Sequence, residues 1–203
     1  MSLAGALWRT NHDIAERILA HGFVRGLCSG MLPTDRFKAY VAQDAYFLEA
    51  FARAYGFCLA HSEAREDIES FADLIAGVRE ELGLHKAYAA RWGARLDGVV
   101  PGRATAAYVD FLLETARLGQ LGETVAAMTP CMRLYAFLGQ SLALHPYAQR
   151  YADWIKTYAD PAFERLAERL EGLLDRHALD GDMVRANYRR AMQLEHDFFD
   201  ANL

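Results

Sequence analysis

The chain has 203 residues, 53% of them hydrophobic and 24% charged, a length and balance that suit one large globular domain. A net charge of −5 and a pI near 5.8, with basic runs no longer than pairs such as Arg189-Arg190, leave no cationic footprint for nucleic acid. No apolar segment is both long and uncharged enough to span a bilayer. Cys28, Cys58 and Cys131 share neither metal-type nor redox-type spacing, and with no secretory signal the expectation is a reducing, cytoplasmic compartment.

Helical periodicity runs almost throughout, and strand alternation is nearly absent. A first helix is expected over 2–20, with Leu7, Ile14 and Ile18 on its apolar side, and Gly22, Gly26 and Gly30 then break the pattern. Pro33-Thr34-Asp35 opens a second helix with capping chemistry, continuing to His61. A third covers 63–92 and carries the alternating charges of a partly solvated face. Gly98, Pro101 and Gly102 mark 93–103 as a loop, and further helices are expected over 104–118, 123–144, 146–158, 161–177 and 181–201. No repeat of 20–50 residues is present, so the expectation is an all-α bundle of seven or eight helices around one core.

Chemistry is suggested at three places. Cys131 lies in the nearly unbroken apolar run 125–138, and Tyr135 four residues on projects from the same helix face. A helix apolar all round is a buried central element, and a free cysteine there usually only packs. Pro130 breaks or kinks a helix; if it instead starts a new segment, Cys131 stands in a first turn whose dipole favours the thiolate. Asp44 interrupts the apolar stripe Phe37, Tyr40, Val41, Phe47, Leu48, Phe51, and Glu195 interrupts the stripe Tyr188, Met192, Phe198, Phe199. A buried carboxylate needs a partner, and Arg133, which breaks the most apolar helix, is the obvious candidate. Taken together, the thiol, the two acids and the tyrosines in apolar frames fit a polar pocket with apolar and aromatic walls.

In order along the chain, Leu32-Pro33-x-x-Arg36-Phe37-x-x-Tyr40-Val41-x-Gln43-Asp44, Glu81-x-x-Leu84-His85, Thr105-Ala106-Ala107-Tyr108, Pro130-Cys131-x-x-Leu134-Tyr135, Tyr151-x-x-Trp154-Ile155-x-Thr157-Tyr158 and Glu195 with Phe198-Phe199 resemble the TenA family, also called thiaminase II or aminopyrimidine aminohydrolase. The resemblance implies a haem-oxygenase-like helical bundle in a single domain, commonly a homotetramer, that needs no metal or other cofactor. It implies a small-molecule pyrimidine substrate: an aminopyrimidine hydrolysed to hydroxymethylpyrimidine, or thiamin itself. By position, Cys131 would be the nucleophile, Glu195 the acid/base on a ring nitrogen, and Asp44 the holder of the ring's amino group. Tyr108, Tyr135 and Tyr158 would line the site. The family often has a tyrosine three residues after the aspartate; here that place is Phe47, able to stack but without a hydroxyl. Two other readings compete. Glu81 and His85, with Asp44 and Glu195, could be counted as ligands of a metal-dependent oxidase, although the paired Glu-x-x-His repeats of di-metal bundles are missing. A pyrimidine-binding or regulatory protein with a degenerate site is the non-enzymatic reading.

Overall fold

The computed structural model describes residues 2–203. Among them are ten α-helices and no strand: α1 (Leu3–Thr10), α2 (His12–Leu19), α3 (Gly22–Ser29), α4 (Thr34–His61), α5 (Arg65–Trp92), α6 (Arg103–Leu118), α7 (Leu121–Ala143), α8 (Ala152–Ala159), α9 (Pro161–His177) and α10 (Asp182–Ala201). No helix of the described residues is long and apolar enough to cross a membrane. The expected all-α bundle is what forms. The long helices keep their expected bounds within two residues because period and caps agree: Asp160 accepts from the Ala162 N–H at 2.7 Å with Pro161 in the first turn, and Gly93 closes α5 in the left-handed region at φ 70°.

The expected 2–20 helix is instead two. The chain turns at Asn11, whose buried amide donates to the Leu7 carbonyl at 2.9 Å and accepts from Arg189 at 3.1 Å. Such side-chain-to-backbone bonding competes with the helix ladder, and the apolar period resumes beyond the turn, which hides it in the sequence. The glycine segment 22–29 is helical rather than broken, because burying Phe23, Val24 and Leu27 outweighs the roughly 1 kcal/mol that each interior glycine costs. The expected 146–158 helix is shortened to α8 behind a single 3₁₀ turn at Gln149–Tyr151. Ala148 there is extended and donates to the Cys28 carbonyl at 2.8 Å, a bond that holds residue 148 against α3.

α7 is the axle, with α8, α9 and α10 packed around it, while α4 packs on α5 and α6. It is apolar on nearly every face, and 16 of its residues are buried. Pro130 lies inside one continuous helix and does not start a new one. Arg133 reaches out of this helix to α9, with its guanidinium fork on both oxygens of Glu171 (2.8 and 2.7 Å) and on Glu164 (2.7 Å). It therefore pairs with neither Asp44 nor Glu195, contrary to the expectation. A long cationic side chain can bury its stem and surface its head, so the core acids must find other partners.

Two glycines let neighbours close on the axle. A Cβ on Gly122 would stand 2.4 Å from the His177 carbonyl oxygen, and one on Gly139 would stand 2.3 Å from the Tyr158 carbonyl carbon. Backbone cannot yield as a side-chain tip can. Gly139→Ala should therefore push α8 outward and lower stability by about 1–3 kcal/mol; a urea midpoint equal to that of the wild type would show that α8 rests on α7 by other contacts.

Candidate active site

Six helices bring their polar side chains to one place in the core. α4 contributes Tyr40, Asp44, Phe47 and Tyr55, and α5 contributes Glu81 and His85; Tyr108 comes from α6, Cys131 and Tyr135 from α7, Trp154 and Tyr158 from α8, and Glu195 with Phe198 and Phe199 from α10. The helix period explains the selection. Asp44, Phe47, Phe51 and Tyr55 fall three and four apart along one face of α4, as do Phe71, Leu74, Val78, Glu81, His85 and Tyr88 along α5.

The thiol of Cys131 and the carboxyl of Glu195 lie close enough for each to shift the other's protonation. Glu195, 1% exposed, accepts from the Tyr108 hydroxyl at 2.8 Å. Asp44, 3% exposed, is held by His85 Nε2 at 2.7 Å, while the other ring nitrogen meets the Glu81 main-chain carbonyl at 2.9 Å. Tyr158 donates to Glu81 Oε1 at 2.6 Å. Behind these, Trp154 Nε1 donates to the Tyr40 hydroxyl at 3.1 Å, and Tyr40 and Tyr135 share a 3.2 Å bond. Phe47 sits with its ring centroid 4.6 Å from Tyr108 and 6.2 Å from Phe198, and Tyr135 stacks on Phe199 at 5.8 Å.

Burial and mutual repulsion set the protonation. Burial is the largest cause lifting Glu195 to about 8, reinforced by the charges of Asp44 and Glu81 and opposed by the hydrogen bond from Tyr108 and by the neighbouring Cys131 thiol. Burial, then the Asp44 charge, raises Glu81 to about 7. For His85, burial works against the imidazolium, but the Asp44 hydrogen bond and charge, with Glu81, prevail and raise it to about 9. Cys131 is pushed well above the usual thiol range, first by burial and then by Glu195, Glu81 and Asp44. The thiolate-favouring helix start proposed from Pro130 is therefore overturned: the thiol sits mid-helix, where no terminal dipole reaches it, beside three acids.

All seven residues singled out in the sequence (Asp44, Phe47, Tyr108, Cys131, Tyr135, Tyr158 and Glu195) are buried; six take part in this network of hydrogen bonds and ring contacts, and Cys131 is coupled to it electrostatically. Two further residues belong with them. Glu81 enters the sequence reading as part of a family-like motif and as a candidate metal ligand, although its place in the α5 stripe carries the same signal that marks Asp44 and Glu195. Tyr55 is fully buried and its hydroxyl has no hydrogen-bond partner; after burial, the nearby Cys131 is the largest cause raising it. Tyr46 turns the other way, lining a surface hollow with Leu96 and Gly98. Among the described residues no group of three His, Cys, Asp or Glu side chains is placed to hold a metal ion, and both His85 nitrogens are engaged as described.

Glu81, Glu195 and His85 each keep a proton to higher pH when folded than their ordinary values of 4.5, 4.5 and 6.5. The folded chain then binds more protons than the unfolded one above about pH 5, so stability must fall as pH rises through about 7, 8 and 9. Tm is expected to drop by roughly 5 °C or more between pH 6 and pH 9, with a shallower slope in Glu195→Gln; calorimetry giving a flat or rising Tm would contradict this protonation scheme.

The model of the TENA/THI-4/PQQC family matches residues 8–203. The aminopyrimidine aminohydrolase of Halalkalibacterium halodurans is 32% identical over 188 residues, covering 88% of this chain and 83% of that protein. The mitochondrial bifunctional TH2 protein of Arabidopsis thaliana is 33% identical over 229 residues, covering 98% of this chain; the match spans only 37% of that longer protein. Among solved structures, a TenA family transcription regulator from a Silicibacter species superposes with a TM-score of 0.90 at 25% identity, covering 98% of this chain and 95% of that one.

Proposed function

The chain belongs to the TENA/THI-4/PQQC family, and from that premise we propose that it is a hydrolase of thiamin metabolism, cleaving the exocyclic methylene substituent from an aminopyrimidine to leave hydroxymethylpyrimidine. The observation that carries this reading is the burial of the Cys131 thiol, the Glu195 carboxyl and Asp44 in one core, within electrostatic reach of one another. A relative with 83% of its length covered bears the name aminopyrimidine aminohydrolase, which supports the substrate class.

The raised pKa values dictate how the thiol can act. Because Cys131 and Glu195 are both neutral near pH 7, attack need not begin from a thiolate. As the sulfur adds to the electron-poor ring, Glu195 gives its proton to a ring nitrogen and takes the thiol proton on the same carboxyl group. The S–C bond forms, the ring nitrogen gains N–H, and no net charge is created in the low-dielectric core. Electrons returned from the dearomatised ring then expel the substituent from the methylene with its bonding pair, an ammonium leaving as the neutral amine. Water adds at the exocyclic carbon, and the reverse proton exchange through Glu195 releases the sulfur. The balance is aminopyrimidine plus water giving hydroxymethylpyrimidine plus amine.

Asp44, fixed by His85, accepts from the ring's amino group, since a carboxylate has no donor of its own. Phe47, Tyr108 and Phe198 supply the flat walls, and Tyr135 and Tyr158 close the opposite side. The ring's own polar atoms would also satisfy the Tyr55 hydroxyl, whose unpaired burial costs about 1–3 kcal/mol. We place the protein, by family resemblance, in the cytoplasm as a homotetramer, which light scattering on the purified chain checks.

The decisive assay incubates the protein separately with 4-amino-5-aminomethyl-2-methylpyrimidine, its N-formyl form and thiamin, and follows hydroxymethylpyrimidine. Release from none of them would overturn the reading. Cys131→Ser should abolish turnover with the fold intact by circular dichroism. Glu195→Gln should cost roughly 10²–10⁴-fold in kcat; a loss below tenfold would deny it the proton transfers. Phe47→Tyr should raise hydrolysis, and no gain would mean that this site compensates for the missing hydroxyl.

A further inference from the structure

A cavity of about 240 Å³ opens between α5, α7, the end of α8 and the first turns of α9. Leu74, Val78, Met132 and Phe163 form its apolar wall; Glu81 lies within, and no lysine, arginine or histidine lines it. Glu80 and Asp160 at its mouth add two more carboxylates. The volume is below that of a pocket for a whole drug-sized ligand and suits one small ring or chain.

This cavity shares walls with the catalytic cluster. Met132 follows Cys131 in the chain, and the Phe163 ring stands edge-on to Tyr158 at 5.0 Å. Glu81 belongs to both. One of its oxygens accepts from Tyr158, while the other has no hydrogen-bond partner among the described residues. The carboxyl is close enough to the Cys131 sulfur to perturb it. A half-buried acid with a free oxygen, set in an apolar chamber without a competing cation, selects a positively charged group over a neutral one. Electrostatic attraction is strengthened where water is thinned, and an aromatic residue in the wall, Phe163, suits a cation as well.

We propose that this chamber is the subsite for the substituent carried on the exocyclic methylene, and that Glu81 gives it a preference for a cationic substituent, an ammonium or a quaternised heteroaromatic ring, over a neutral one of equal size. The inference rests on the hydrolase reading for its substrates, but not for all of its test. Glu81 acts here as a specificity residue and breaks no bond.

The experiment has two arms. In the first, calorimetry measures binding of the isolated leaving half, an N-methylated thiazolium alcohol, and of its uncharged thiazole counterpart. The wild type should bind the cation saturably and at least tenfold tighter than the neutral ring. Glu81→Gln should erase that preference, and Ala162→Phe, which adds bulk at the mouth on α9, should weaken binding of both. This arm needs no turnover, so it stands even if no aminopyrimidine is hydrolysed. In the second arm, Ala162→Phe should lower kcat/KM for thiamin at least tenfold more than for aminomethylpyrimidine, and Glu81→Gln should raise KM for both cationic substrates at least tenfold relative to the neutral N-formyl form. A wild type that binds neither thiazole, or binds both equally, overturns the subsite. Equal losses on all three substrates would overturn it too, since that is what disturbance of Tyr158 and His85 alone would give.

Discussion

Three carboxyl groups, Asp44, Glu81 and Glu195, are gathered in one apolar core with a single imidazole to offset them, and the character of the site depends on how that crowding is relieved. Three carboxylates cannot share such a volume as anions, because each would be desolvated and each would repel the others. His85 takes the charge of Asp44 in a 2.7 Å pair. Glu195 keeps its proton instead and becomes a donor as well as an acceptor near neutral pH, while Glu81, raised to about 7, ionises there only in part. A nitrogen heterocycle with an exocyclic amine asks for that mixture: a fixed anion for its amino group and a neutral acid for its ring nitrogen.

The same crowding governs the thiol. Cys58 is also buried and is raised to about 12 by burial, yet no carboxyl acts on it. Cys131 differs in standing within electrostatic reach of Glu195, Glu81 and Asp44. On the mechanism we propose, reactivity in this core comes from proton exchange between two neutral groups, and not from a pre-formed thiolate at a helix end. The scaffold supports this by rigidity. α7 is gripped on several sides, with glycines at the closest approaches, so the sulfur, Tyr135 and Tyr158 keep their relative places while protons move.

Buried carboxylates were legible as interruptions of apolar stripes, and that one pattern located Asp44 and Glu195. It could equally have located Glu81, which sits between Val78 and His85 in the α5 stripe. The pattern has no power to assign roles. Asp67 obeys it as well, four residues before Phe71 and only 2% exposed, and it is a structural acid bonded to Arg176 at 2.8 Å. Arg133 misled in the opposite direction: its place in the most apolar helix suggested a core partner, while its length carries the charge out to Glu164 and Glu171.

The chain's own order of residues decided what is local: a helix where apolar groups recur at three and four, an end where Asp160 precedes Pro161, a thiol and a phenol on one face of α7. It also singled out the polar residues that would have to be reconciled with a core. Tertiary structure decided everything that depends on separation in space. Helix period specifies which way a side chain points from its own axis but not what stands opposite, so the pairing of Asp44 with His85, the turn at Asn11, the continuity of α7 through Pro130 and the protonation of Cys131 all waited on the packing of helices distant in sequence. Desolvation and Coulomb repulsion fall off over ångströms, and those distances exist only once the bundle has closed.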